Sequence, residues 1–133
     1  MKTLSLLILC LIFVSCDKKD TEMKQTDGYI VGFDPCSLVN HYATGFVITS
    51  TDKKLMLMTY NLPDSIYRFP LENFQGFENS GYFPIDVRFS YKIRVTYTIA
   101  TESEKIYLLC LGYINTSEFN DATQVIIKSA TKL

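Results

Sequence analysis

From Phe89 to Ala100 the chain alternates strictly between large and small or polar side chains. Phe89, Tyr91, Ile93, Val95, Tyr97 and Ile99 interleave with Ser90, Lys92, Arg94, Thr96, Thr98 and Ala100. A period of two with β-branched and aromatic content suits a pleated strand, which lines all six large residues on one face. This stretch is the expected central strand of an all-β domain. Other runs group around it. Gly28–Phe33 predicts a short strand ending at the turn Asp34-Pro35-Cys36, where Asp followed by Pro suits a type I turn. Gly45–Ser50 and Lys54–Tyr60 predict a hairpin across Thr51-Asp52-Lys53. Leu55, Leu57 and Thr59 face opposite to Met56, Met58 and Tyr60, and both sets are apolar enough to predict cover on both faces. Ile106–Ile114 is apolar on both faces and is expected to be the most buried strand, pairing back on the central one. Thr123–Thr131 predicts a last strand.

Between the third and fourth strands, residues 61–84 are punctuated by Pro63, Pro70 and Pro84, and each disfavours helix for the residue before it. Phe69, Phe74, Phe77, Tyr82 and Phe83 anchor this part, either as a plug in an open barrel end or as an exposed binding patch. Three strands, a plug and further strands is the order of a small antiparallel barrel, OB-like with an extra terminal strand. A small β-sandwich is the alternative. The loop 37–44 gives no readable conformation.

The N-terminal pattern is different. Lys2 precedes an apolar run from Leu4 to Val14, too short to span a bilayer and of the length of a signal-peptide core. Phe13-Val14-Ser15-Cys16 follows and resembles a lipobox, the site at which bacterial lipoprotein signals are cut. The resemblance implies removal of residues 1–15 and acylation of Cys16, which would hold the protein permanently on a bilayer at roughly 0.8 kcal/mol per buried CH₂. Residues 16–27 then read as a lipidated tether. Asp17–Asp27 mixes four acidic residues with three lysines and almost nothing apolar, so it has little to bury. As a coil it would set the domain, residues 28–133, about 20 Å from the membrane.

With 133 residues and a formal net charge of −1, the chain has room for one domain and no electrostatic case for nucleic acid. Lys92, Arg94 and Lys128 read as solvated strand faces, since the central aromatics point the other way. Of four cysteines, Cys10 leaves with the signal and Cys16 carries lipid. Cys36 and Cys110 remain, and in an oxidising envelope they pair as a disulfide or persist as buried thiols. No metal or cofactor is expected, because His41 is the only histidine and no ligand spacing surrounds it. No catalytic constellation is readable either. His41 has no placeable nucleophile or acid, Ser37 lacks a nucleophile elbow, and Asp34, Glu78 and Asp86 have no paired spacing.

Five segments, GYIVGFDPC (28–36), FVITS (46–50), LMTYNLPDSIYRFP (57–70), YKIRVTYTIA (91–100) and QVIIKSATK (124–132), resemble small lipoproteins of Bacteroidetes-type bacteria. The resemblance implies an envelope location, with the outer membrane, periplasmic or surface side, expected; it brings no function and no site residues. Asp64-Ser65-Ile66 resembles the short O-glycosylation motif of exported proteins in such bacteria, a polar turn being the alternative. The function expected is a non-catalytic binding or accessory module for an envelope protein or glycan, with an exposed aromatic patch at Tyr42, Phe74 or Tyr82. An envelope hydrolase or a spacer remains the alternative.

Overall fold

A computed structural model describes residues 22–75, 81–110 and 119–133. The expected signal segment, Cys16, Phe77, Glu78 and the second half of the strand expected at 106–114 lie outside the described residues. The strands are β1 (Lys24–Phe33), β2 (Leu38–Val39), β3 (Tyr42–Ala43), β4 (Phe46–Ser50), β5 (Met56–Thr59), β6 (Lys92–Ile99) and β7 (Thr123–Lys132), with short 3-10 turns at Pro35–Ser37 and Leu71–Phe74. Five of them close a barrel in the order β1-β4-β5-β7-β6 and back to β1. The domain is therefore an all-β, OB-like barrel.

β1 is the strand from which the others are laid out. Its first half pairs with β6 and its second half with β4, and Gly28 sits in both ladders, opposite Ile93 and Ser50. A Cβ on Gly28 would lie 2.1 Å from the Thr49 carbonyl oxygen, so the bend needs glycine. Polar Lys24–Asp27 belong to this strand, not to the tether, and the barrel begins four residues before the expected Gly28. Their partners on β6 decide this, because six consecutive pairs run from Lys24–Tyr97 to Tyr29–Lys92. Asp27 and Arg94 face each other there, with Arg94 Nε and Nη2 donating to the carboxylate at 2.6 and 2.8 Å. The guanidinium holds the Asp27 carboxyl below its usual range.

β6 keeps the predicted alternation through Ile93, Val95 and Tyr97, which point inward. The register with β7 shifts between Thr96 and Tyr97, and beyond it Thr98 is buried while Ile99 faces solvent. Phe89 also lies outside the strand, so the six large residues do not share one face. The hairpin β4–β5 forms as expected and is covered on both sides. Ile48 and Leu57 enter the barrel, while Val47 and Met58 join Val31 and Phe119 in a second cluster on the outside.

The expected strand at 106–114 is corrected over its described part. Residues 105–110 are not strand, and Tyr107 and Leu109 are 74% and 95% exposed. The place beside β6 is taken by β7, which pairs antiparallel with it from Ile93–Lys132 to Ile99–Val125. β7 also pairs parallel with β5 at Leu57–Thr123 and Met58–Gln124, so the barrel is mixed and β7 is its fifth strand, not an added one. The reason is topological. A hairpin return straight after β6 would leave β5 without a neighbour, whereas β7 reaches both edges. Asn61 extends the short parallel seam, as its side-chain amide donates to the Ile127 carbonyl and accepts from the Ile127 amide, each at 2.9 Å.

The segment between β5 and β6 is the expected plug. Phe69, Phe74 and Phe83 pack with Phe33, Phe46 and Tyr91 at ring separations of 4.8–6.3 Å, mostly edge to face. Residues 81–83 then stitch onto β1, with Phe33 N donating to Gly81 O and Phe83 N to Val31 O. Phe83 is fully buried, whereas Ile85, two residues on, is 82% exposed. Phe83→Ala is expected to cost about 3–5 kcal/mol and Ile85→Ala no more than about 0.5 kcal/mol. Urea midpoints of the two variants check this, and equal losses would mean that the plug is not part of the core.

Candidate ligand-binding groove

Two connections meet on one side of the barrel. The first, residues 34–45, is tied at its base. Asp34 N donates to Gly45 O at 3.0 Å, and Gly45 N donates to Ser37 Oγ at 2.9 Å. Asp34 caps the Pro35–Ser37 turn, its Oδ1 accepting from Cys36 N at 2.9 Å. Beyond the turn, β2 and β3 form a miniature hairpin across Asn40 and His41, with φ of 51° and 68°. Two positive φ values at a two-residue loop match the twist of a hairpin. His41 therefore stands exposed at the turn tip, and among the described residues no cluster of His, Cys, Asp or Glu has the makings of a metal site.

The second connection, residues 100–122, starts with a turn in which Thr101 N donates to Glu104 Oε2 at 2.9 Å. Its described part then lies against β7. Gln124 on β7 holds it by its side-chain amide, Nε2 donating to Ile106 O at 3.0 Å and Oε1 accepting from Ile106 N. Cys36 and Cys110 are joined as a disulfide with Cα atoms 5.0 Å apart, which links the two connections.

Between them lies a groove of about 300 Å³, at the lower end of the roughly 300–1,000 Å³ of small-molecule sites. Met58, Phe119 and Ala122 line it as part of the outer apolar cluster. Asp34 and Tyr60 supply a polar wall, Ile106, Tyr107 and Leu108 line it from the second connection, and Asn120 and Gln124 add amides. The Tyr60 hydroxyl donates to Asp34 Oδ2 at 2.6 Å. Burial and then the Asp34 carboxylate hold the Tyr60 phenol well above its usual range.

Of the candidate contact residues Tyr42, Phe74 or Tyr82, Tyr42 is exposed, Tyr82 half-buried and Phe74 buried. Phe74 is 7% exposed inside the plug, where the barrel end takes up its ring. Tyr82 packs edge-on to Phe119 at 5.0 Å beneath the Arg88 guanidinium, against the outer apolar cluster. Tyr42 is 72% exposed on β3 and does not line the groove. Ser65 is exposed in the turn closed by Ile66 N on Pro63 O at 3.0 Å, accessible as the glycosylation reading requires. The groove residues Asp34, Tyr60, Phe119 and Gln124 were not singled out as a site by the sequence pattern. Asp34 and Tyr60 are 26 residues apart, and the one signal was an outward-facing Tyr on a strand apolar on both sides.

Reduction of the disulfide is expected to lower the unfolding free energy, by up to about 4.5 kcal/mol in the chain-entropy account of a 74-residue separation, and with it the urea midpoint. A Cys36→Ser, Cys110→Ser pair with an unchanged midpoint would refute it. Tyr60 gives a pH dependence. Its folded phenol holds its proton more tightly than the unfolded one, so its contribution is complete below about pH 10 and is lost as pH rises above that. Stability should fall more steeply above pH 10 in the native protein than in Tyr60→Phe, as read by denaturation at pH 9, 10 and 11. Comparison of the chain with protein-family models, curated proteins and solved structures returns no match.

Proposed function

We propose that the chain is a lipid-anchored lipoprotein of a bacterial envelope that works by binding a protein or glycan, not by catalysis. The anchor reading rests on the lipobox-like Phe13-Val14-Ser15-Cys16 behind its apolar run and on the resemblance of five segments to small lipoproteins of Bacteroidetes-type bacteria. A disulfide fits an oxidising compartment outside the cytoplasm. The binding reading is carried by one observation, the groove between two connections clasped by that disulfide. In OB-type barrels this side, between the loops after the first and fourth barrel strands, is where oligonucleotides and oligosaccharides lie. Asp34 Oδ1 accepts from Cys36 N and Oδ2 from the Tyr60 hydroxyl, which fixes the carboxylate on the groove wall while each oxygen keeps a further lone pair.

Since β1 begins at Lys24, only residues 17–23 separate Cys16 from the barrel. The chain is expected to fractionate with membranes when made in a bacterium that processes lipoproteins. Its intact mass should equal a chain starting at Cys16 plus acyl groups, with hexose-sized additions removed by Ser65→Ala. Cys16→Ser should abolish acylation. An unacylated chain cut elsewhere would end the lipoprotein reading.

A further inference from the structure

We infer that the groove binds a neutral oligosaccharide, with Asp34, Tyr60 and Asn120 as the hydrogen-bonding set and the Tyr107 ring as the stacking surface. This inference rests on the binding-module reading and names its ligand class.

The chemistry of the lining selects the ligand. A sugar hydroxyl donates and accepts at once, so it needs a wall offering both. Tyr60 oxygen donates its proton to Asp34 Oδ2 at 2.6 Å and keeps its lone pairs free to accept. Asp34 is an acceptor, and the Asn120 amide does both. Gln124 serves instead to fix the segment that carries Tyr107, both ends of its amide bonding Ile106. A pyranose also has an apolar C–H face. The groove offers Met58 and Phe119 in its apolar lining, and Tyr107 on the segment held by Gln124. Tyr107 is 74% exposed, and its hydroxyl donates to Glu102 at 3.4 Å, which leaves the ring face open.

The same lining argues against other ligands. Among the described residues that line the groove there is no Lys or Arg, so a phosphate backbone finds no counter-charge. An acidic sugar would meet the Asp34 carboxylate. A purely apolar peptide would strip water from Asp34 and Tyr60 without replacing its hydrogen bonds.

The test uses the mature chain from Cys16 made without lipid, disulfide intact. Ligand-observed NMR measures binding of neutral glucose and N-acetylglucosamine trisaccharides, a uronic-acid trisaccharide, a thymidine decamer and an apolar tetrapeptide. The neutral trisaccharides are expected to bind saturably, with Kd on the order of 1 mM or tighter. Tyr107→Ala and Tyr60→Phe should each weaken binding by about fivefold or more, and Tyr42→Ala should leave it unchanged. If Tyr60→Phe unfolds, Tyr107→Ala decides alone, since its ring lies at the surface. No saturable binding by any neutral saccharide overturns the inference. So does binding insensitive to Tyr107→Ala, or preference for the acidic sugar or the decamer. Binding of the peptide alone overturns it too, yet leaves the binding module standing.

Discussion

A barrel exists only if its last gap is bridged, and in this chain the gap lies between β5 and β7. Backbone pairing covers two positions there, and the Asn61 amide supplies the next two bonds by imitating a strand against Ile127. Thr59 fixes that amide in turn, its hydroxyl donating to Asn61 Oδ1 at 2.8 Å. An apolar side chain at 61 would leave Ile127 with an unpaired donor and acceptor at a closed sheet, at a cost of about 1–3 kcal/mol for each buried group. The two faces of the seam then have different uses. Leu57, Val125 and Ile127 fill the interior. Met58 and Gln124, partners across the seam, line the groove outside. Closure of the fold and construction of the groove are thus one event.

The parts legible in sequence were those with a repeating signature. Period-two alternation located β6, and the two-faced hairpin β4–β5 announced a covered outer side as well as a core. Prolines and clustered phenylalanines marked the plug. Once Cys10 was assigned to the expected signal and Cys16 to the expected lipid anchor, the cysteine count left Cys36 and Cys110 as a disulfide or as buried thiols, and the structure joins them. What escaped has no period. Lys24–Asp27 looked like tether because charge and strand are compatible on a solvent-facing ladder. Ile106–Leu109 looked like core because hydrophobicity reports a preference for burial and not whether the topology can satisfy it. The β2–β3 hairpin turns on Asn40 and His41 at positive φ, without the glycine that usually advertises such a turn. Side-chain amides that imitate backbone, Asn61 across 66 residues and Gln124 across 18, leave no local trace at all.

The site shows the same division. Phe74, one of the candidate contact residues, lies inside the barrel end with the other rings of its proline-rich segment, whereas Tyr42 is exposed. The groove is made instead from residues at the margins of elements. Asp34 follows β1, Tyr60 follows β5, Ala122 precedes β7, and the second connection is anchored at Cys110 and Ile106. Connections on a rigid barrel can vary freely, so the barrel supplies position and the connections supply chemistry. The disulfide and the Gln124 clamp reduce the conformational freedom of those connections before any ligand arrives, which lowers the ordering cost of binding.

The placement of β6 between β1 and β7 has a mechanical consequence. β1 and β7 both run antiparallel to β6, so they run alongside each other in the same direction. Lys24 begins at one end of β6, opposite Tyr97, and Lys132 finishes at the other, opposite Ile93. Tension applied between the two chain ends therefore draws the flanking strands past β6 in opposite senses. The rungs of both ladders bear that load together and slide in shear, and the Asp27–Arg94 fork lies across the direction of sliding. A domain threaded in this way resists being unzipped from its ends, one bond at a time.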